Sequence, residues 1–133
     1  MYKVDFVPYE GAGQIKLGSP RTETRKTFGA FKEFRKTKGS KNTSDDFFCC
    51  HVFYNDQDQV EAIEFFDEAE FLFKEQNLFL FAFAELVSFL KNNSVNFSED
   101  DSGLRSDAIG LSAYSPDKQR IETILVYRQG YYD

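Results

Sequence analysis

Hydrophobic and polar positions follow the same order in two parts of the chain. In the first part, an apolar run at 47–54 is followed by a polar turn and by the strand-forming segment 59–66. In the second part, the run 104–114 is followed by a polar turn and by the segment 120–127. Each run ends in a tyrosine. Each pattern predicts two strands joined by a turn.

Two segments ahead of these strand pairs carry the sequence signals of helices. Ser19 suits an N-cap, Pro20 suits the first helical position, and Gly29 suits a C-cap. A second helix is expected from residue 78 to about residue 90, with Asn77 as its cap. Its apolar stripe at helical spacing consists of Phe79, Phe83, Leu86, Val87 and Leu90.

A short strand is expected ahead of each helix, at 14–17 and at 70–73, so the order of short strand, helix and hairpin occurs twice. This order indicates either a duplicated βαββ unit, with repeats at 14–66 and 70–127, or the common reuse of hairpins in such domains. We predict a single α+β domain over residues 1–133, with a mainly antiparallel sheet of about six strands and two helices on one face. The polar segments 30–46 and 92–103 are expected to be long loops.

Three segments are candidates for the edges of the predicted sheet. Residues 2–7 alternate loosely and are expected to form a first, edge strand. Segment 14–17 and the last strand are the candidates for an edge that accepts a strand from another protein.

The composition is that of one aromatic-rich domain. The chain has 133 residues, of which 16 are Phe and 7 are Tyr, and these side chains can fill a sizeable core. No segment reaches the roughly 18 apolar residues of a membrane-spanning helix, and the first residues lack a secretory signal.

Cys49 and Cys50, as neighbours on a strand, are expected to point to opposite faces and to form no disulfide bridge with each other. A reducing, cytoplasmic location is therefore expected.

Charge is distributed unevenly along the chain. The net charge is −6, yet residues 16–41 contain nine basic and two acidic side chains, whereas residues 42–133 contain six basic and eighteen acidic ones. An acidic body repels nucleic acids and attracts basic partners.

Candidates for catalysis or metal binding are few. His51 is the one histidine, and on a strand it would share a face with Cys49, as a thiolate couple or half of a metal site. Two acidic runs, 45–46 and 99–101, offer carboxylates to a divalent cation, although such runs are usually solvated. The chain contains no phosphate-loop, dinucleotide, zinc-protease or calcium-loop motif. We expect no catalysis, no cofactor and no metal site, and an enzyme centred on Cys49 and His51 is the weakest hypothesis.

The basic segment 21–41 supports a second functional hypothesis. Its arginines and lysines are interleaved with Phe28, Phe31 and Phe34, a combination that binds single-stranded nucleic acids by charge and stacking. The isoelectric point of about 4.8 argues against this function, because nucleic-acid-binding domains are usually basic. A solvated segment whose phenylalanines reach the core is the simpler interpretation.

Several phrases of the sequence resemble those of small bacterial immunity proteins. These proteins accompany polymorphic toxins and contact-dependent growth-inhibition toxins. The resemblance covers nearly the whole chain and rests on residues 15–29, 42–47, the sequence EAIEFF at 61–66, IGLSAYSP at 109–116 and the terminal YYD.

The resemblance implies a cytoplasmic protein without catalytic activity. Such a protein binds the C-terminal domain of its cognate toxin, often a nuclease with a basic cleft, and blocks its active site. An acidic inhibitor would be steered to this cleft by electrostatics. The candidate partner-binding residues lie in the two polar segments and are Asp45, Asp46, Glu99, Asp100, Asp101, Arg35, Lys36 and Lys38.

Overall fold

The computed structural model describes residues 2–133 and contains thirteen strands and two α-helices. The strands are β1 (Tyr2–Val7), β2 (Gly11–Ala12), β3 (Ile15–Lys16), β4 (Lys32–Phe34), β5 (Ser44–Asp46), β6 (Cys50–Tyr54), β7 (Val60–Phe66), β8 (Ala69–Phe73), β9 (Gln76–Asn77), β10 (Ser98–Asp100), β11 (Gly103–Ser106), β12 (Leu111–Tyr114) and β13 (Thr123–Tyr127). The helices are α1 (Arg21–Phe28) and α2 (Phe83–Asn92). Neither helix of the described residues is long and apolar enough to span a membrane.

The strands form two sheets. An eight-stranded antiparallel sheet has the order β10-β11-β12-β13-β7-β6-β5-β4, and a five-stranded sheet has the order β3-β2-β1-β8-β9. The pair β1–β8 is parallel, and the other pairs are antiparallel. The α+β class and the mainly antiparallel pairing are thus confirmed, but the prediction of one sheet with about six strands is wrong.

The extra strands of the eight-stranded sheet have two origins. The run 104–114, which was expected to be one strand, is divided by a turn at 107–110 into β11 and β12, and the other extra strands come from the segments that were expected to be loops. Segment 30–46 contains β4 and β5, and segment 92–103 contains β10. These strands are three residues long and polar, and β4 and β10 lie at the two edges of the eight-stranded sheet. Edge strands need little apolar side-chain surface, so hydrophobic alternation does not reveal them.

Two expectations about sheet edges are also wrong. β1 lies between β2 and β8, and the last strand, β13, lies between β12 and β7. The short strand β3 is an edge of the five-stranded sheet, as expected for segment 14–17.

The main core lies on one face of the eight-stranded sheet, which we call the inner face. Ile63 and Phe65 of β7 are fully buried there, together with Leu86 of α2 and with Val4 and Phe71 of the five-stranded sheet. The opposite, outer face has a smaller cluster built from Phe53, Ala62 and Tyr127.

Both helices begin later in the chain than their expected caps predict, α1 by one residue and α2 by five. The N-cap of α1 is Pro20 and not Ser19, whereas Gly29 ends this helix as expected, with a φ of 77° and its N–H donating to the Arg25 carbonyl at 2.8 Å. Asn77 caps a single 3-10 turn at Leu78–Leu80, and α2 starts only after this turn.

The two halves of the eight-stranded sheet repeat one arrangement. A helix precedes β4–β7 in the first half and β10–β13 in the second, and the halves meet where Glu64 of β7 faces Leu125 of β13. A β-bridge joins the N-cap of α1 to Gln59, and a matching bridge joins Ala82, the N-cap of α2, to Arg120. Each half therefore has four strands in this sheet, two more than the hairpin of the expected βαββ unit.

Candidate functional site

The strand registers define two ends of the eight-stranded sheet. From β10 across β11, β12 and β13 to β7, the residues paired at one end of the sheet are Asp100, Gly103, Tyr114, Thr123 and Phe66. Cys50, the first residue of β6, pairs with Phe65 at the same end. The turns next to these residues therefore project from the same end of the sheet.

We call this end the acidic end and define it as residues 46–49, 67–68, 99–102 and 115–120. It contains seven acidic and two basic side chains. The acidic residues are Asp46, Asp67, Glu68, Glu99, Asp100, Asp101 and Asp117, and each is exposed or partly exposed. The acidic end is therefore strongly negative on turns that a partner can reach.

Ion pairs tie neighbouring turns of the acidic end together. The Arg120 guanidinium binds Asp67, and the Lys118 ammonium lies 3.8 Å from Glu99. Each of these exposed pairs contributes little stability, about 0–1 kcal/mol. Their effect on the surface is larger, because they engage both basic side chains of the acidic end and leave its negative charge in excess.

Two carboxylates of the acidic end are held ionised by their own turns. The backbone N–H of Ser102 donates to Asp100 at 2.8 Å, and the N–H groups of Gln119 and Arg120 donate to Asp117 at 2.9 and 3.0 Å. These bonds keep the pKa of Asp100 and of Asp117 below the usual value, since they stabilise the charged form. Both turns thus present fixed negative charges at neutral pH.

The acidic end also carries an exposed aromatic side chain. Phe48 is 71% exposed and has a φ of 71°, at the tip of the β5–β6 hairpin. The N–H of Phe47 donates to the Cys50 carbonyl at 3.0 Å, and the Asp46 carboxylate accepts from the N–H of Phe48 at 2.7 Å. A positive φ at the first tip position is usual for glycine and strained for phenylalanine. This hairpin holds a large apolar side chain in solvent at a conformational cost.

The structure corrects the expectation that Asp45 reaches a partner from a loop. Asp45 lies in β5 on the inner face and is fully buried. Its carboxylate accepts two bonds of 2.8 Å from Arg25 and one of 2.9 Å from the Tyr54 hydroxyl, and Arg21 lies at 3.6 Å. A carboxylate with these partners holds α1 against the sheet and is inaccessible to another protein.

The predicted basic residues lie at the opposite corner of the same sheet. Arg35, Lys36 and Lys38 belong to the β4–β5 connection, which leaves the sheet at the end away from the acidic end. Arg35 donates to the Ser40 carbonyl at 2.7 Å, and the Lys36 ammonium lies 4.6 Å from the centre of the Phe53 ring. Of the predicted partner-binding set, the structure groups only Asp46, Glu99, Asp100 and Asp101 at one end.

The phenylalanines of the basic segment are engaged within the protein. Phe28 stacks on Phe47 at 4.5 Å between ring centres, and Phe31 packs edge-on against Phe47 and under Arg25. Phe34 packs against His51 at 4.8 Å. These contacts favour the interpretation in which the aromatics serve packing, and of the three only Phe31, which is 40% exposed, remains open to stacking on a nucleic-acid base.

His51 and Cys49 have different surroundings. His51 faces the outer side of the sheet, with Nδ1 3.3 Å from Glu64 and Nε2 3.7 Å from Asp46. The Cys49 sulfur lies 3.8 Å from that of Cys50. Within residues 2–133 there is no group of three or more His, Cys, Asp or Glu side chains arranged to hold a metal ion.

Four residues of the acidic end were not among the predicted site residues, namely Phe48, Asp67, Glu68 and Asp117. Phe48 was hidden inside a continuous apolar run, because its hairpin tip lacks the Gly, Asn or Asp that marks such turns. Asp117 stood in a turn that the sequence did predict, whereas no turn was predicted at Asp67 and Glu68. What identifies these three residues as part of the site is that the turns containing them lie at the same end of the antiparallel strands.

Comparison of the chain with protein-family models, with curated proteins and with solved structures gave no match.

Proposed function

We propose that this protein is a non-catalytic immunity protein that binds a cognate toxin domain through its acidic end and blocks the toxin's active site. The observation that carries the proposal is the excess of carboxylates on the acidic end, next to the exposed Phe48. Neutralisation of the toxin would take place in the cytoplasm.

Charge supports a basic partner cleft, such as that of a nuclease. Five acidic side chains remain after the pairs of Arg120 with Asp67 and of Lys118 with Glu99. Complementary charge steers association and raises association rates by about 10- to 1,000-fold at low salt. A cleft that binds nucleic acid has the positive potential that such a surface would recognise.

The dimensions of the acidic end fit a protein partner. Six interstrand spacings of about 4.8 Å separate β10 from β5, a span of roughly 29 Å. This span matches a standard interface of about 800 Å² per partner. A partner seated across it contacts both the carboxylates at 99–101 and the hairpin tip at Phe48.

Phe48 has the properties of an interface anchor. Aromatic residues dominate the energy of protein interfaces when a partner's pocket removes them from water. An exposed phenylalanine in a strained conformation contributes little to the fold, and this favours a role outside it. We infer that Phe48 enters a pocket of the toxin while the surrounding carboxylates face its basic rim.

The test uses the C-terminal domain of a large secreted protein encoded beside this chain. Calorimetry should detect a complex, and a stoichiometric amount of the chain should abolish the toxin's activity. Phe48→Gly should weaken binding by about 30-fold, the effect of losing a hot-spot side chain. Val7→Ala removes another exposed apolar side chain, 44% accessible and at the end of β1 away from the acidic end, and should leave the affinity within about twofold.

Failure to form a complex with such a toxin domain would overturn the proposed function. Equal losses of affinity in the Phe48 and Val7 variants would retain an immunity function but remove the acidic end from the interface.

A further inference from the structure

The two adjacent cysteines lie together, against the expectation that they point to opposite faces. The expectation assumed that both residues belong to one extended strand. Cys50 begins β6, but Cys49 lies in the hairpin tip directly after Phe48, whose φ is 71°. This bend turns the side chain of Cys49 back, so that its sulfur lies 3.8 Å from that of Cys50.

The two thiols differ in access to solvent. Cys50 is fully buried in the main core, whereas Cys49 is partly exposed at the hairpin tip. The hydroxyl of Tyr2 is buried beside Cys49 without an oxygen or nitrogen partner among residues 2–133. An exposed thiol backed by a protected one is the arrangement of a reactive cysteine and its resolving cysteine.

The surroundings also favour the reactive form of Cys49. Its interaction with the Cys50 thiol lowers the pKa of Cys49 to about 7, although partial burial opposes this shift. The same interaction and deeper burial raise the pKa of Cys50. The attacking thiolate thus forms at the exposed sulfur, since the thiolate is the nucleophilic form.

We propose that Cys49 and Cys50 form a reversible oxidation site for hydroperoxides, with Cys49 as the attacking thiol and Cys50 as the resolving thiol. The Cys49 thiolate attacks the peroxide O–O bond, which gives a sulfenic acid and releases hydroxide from hydrogen peroxide. Cys50 then gives its proton to this hydroxide, which forms water, and the Cys50 thiolate attacks the Cys49 sulfur, which gives the disulfide and releases the sulfenic oxygen as hydroxide. The peroxide gains two electrons, and the thiol pair loses two electrons and two protons.

The product should be easy to reduce. Neighbouring Cα atoms are about 3.8 Å apart, shorter than the roughly 4.4–6.8 Å of ordinary disulfides, and such a bond is strained. Strained, accessible disulfides are the labile ones. A small dithiol should therefore restore both thiols.

The experiment treats the folded chain with hydrogen peroxide, with or without dimedone, then unfolds the chain, blocks the remaining thiols with an alkylating reagent and analyses the peptides by mass spectrometry. The wild type should lose both alkylation sites together, without a dimedone adduct, and dithiothreitol should restore them. Cys50→Ser should instead trap the sulfenic acid, with at least about tenfold more dimedone adduct at Cys49 than in the wild type. Cys49→Ser should leave Cys50 fully alkylatable once the chain is unfolded.

Two results would overturn the proposal. One is a wild-type chain whose two thiols both stay free after peroxide. The other is a dimedone adduct of equal yield in the wild type and in Cys50→Ser. Circular dichroism of each variant, together with a second resolving-thiol variant, Cys50→Ala, separates these results from misfolding.

Discussion

The two halves of the eight-stranded sheet have the same order of elements, yet they hold their helices by different forces. The helix of the first half, α1, buries Arg21 and Thr24, and its arginines bind the fully buried Asp45. The helix of the second half, α2, packs against the core through the apolar residues Phe83, Leu86 and Leu90. The same order of elements is thus stabilised by a buried ionic cluster in the first half and by hydrophobic burial in the second half.

This difference determines which charges remain for a partner. In the first half, Arg21 and Arg25 are committed to carboxylates, so the basic count of segment 16–41 overstates the positive surface. In the second half, Glu99, Asp100 and Asp101 stand on an edge hairpin and are exposed. The second half therefore keeps an exposed acidic surface for the electrostatic recognition that we propose. Whether the two halves arose by duplication stays a prediction.

The largest effect is expected at the ionic cluster of the first half. Asp45→Ala should lower the free energy of unfolding by about 3–5 kcal/mol, because it breaks a buried ionic cluster: Arg25 loses both of its 2.8 Å bonds to Asp45, and the buried Tyr54 hydroxyl loses its acceptor. Urea denaturation gives this value. The matched control is Asp46→Ala at the neighbouring, partly exposed position, with a loss of about 1 kcal/mol. Equal losses at the two positions would contradict the ionic anchoring of α1.

The second half should respond to the loss of apolar volume. Leu86→Ala should cost about 2–5 kcal/mol, with about 3 kcal/mol as the central expectation, because Leu86 is fully buried between α2 and the sheet. Ser88→Ala on the exposed side of the same helix should change stability by less than about 0.5 kcal/mol. If Leu86→Ala behaves like Ser88→Ala in urea denaturation, α2 is not held by this core.

Each half contains a buried tyrosine whose ionisation should destabilise the fold. Burial raises the pKa of Tyr54, next to Asp45, and of Tyr127, which donates to Asp107 at 2.8 Å, above the ordinary value of about 10. Above this pH the unfolded chain loses the phenolic protons and the folded chain keeps them. Stability should therefore fall from about pH 10 upward, by about 1.4 kcal/mol per pH unit for each tyrosine.

Urea denaturation between pH 8 and 11 should reveal this loss. Tyr54→Phe should reduce the slope above pH 10 by the contribution of one tyrosine, although it is less stable at neutral pH because Asp45 loses a donor. An unchanged slope in this variant would show that Tyr54 titrates normally.

The smallest effect is expected at the tip of the β5–β6 hairpin. Phe48→Gly should raise the free energy of unfolding by about 1 kcal/mol, because glycine adopts a positive φ without strain and Phe48 loses little burial. A thermal melt measures the gain. A destabilised variant would mean that Phe48 serves the fold, which would weaken its assignment as an interface anchor.

Much of the fold was predictable from side-chain patterns. The hairpin of β6 and β7, the cap at Gly29 and the apolar stripe of α2 follow from local periodicity and turn chemistry. The short polar strands β4, β5 and β10 were not predictable, because their stability comes from pairing with neighbours and not from apolar alternation.

The site was less predictable than the fold. The exposed carboxylates at 99–101 could be named from composition, but their grouping with Asp67 and Asp117 depends on strand order. Asp45 and Asp46 are neighbours in sequence but have different environments. Because side chains alternate on β5, Asp45 points to the inner face and is buried, whereas Asp46 is partly exposed. The partners of Asp45, on α1 and β6, are set by tertiary packing.

The most direct test of the central claim compares the two charged corners of the sheet in one kinetic experiment. Association of the toxin domain is measured by stopped flow at low and high salt. The triple variant Glu99→Lys, Asp100→Lys and Asp101→Lys should slow association by at least about tenfold at low salt, with a much smaller difference at high salt. The triple variant Arg35→Glu, Lys36→Glu and Lys38→Glu should leave the rate unchanged or raise it slightly. Slower association in the second variant, with an unchanged rate in the first, would contradict recognition through the acidic end.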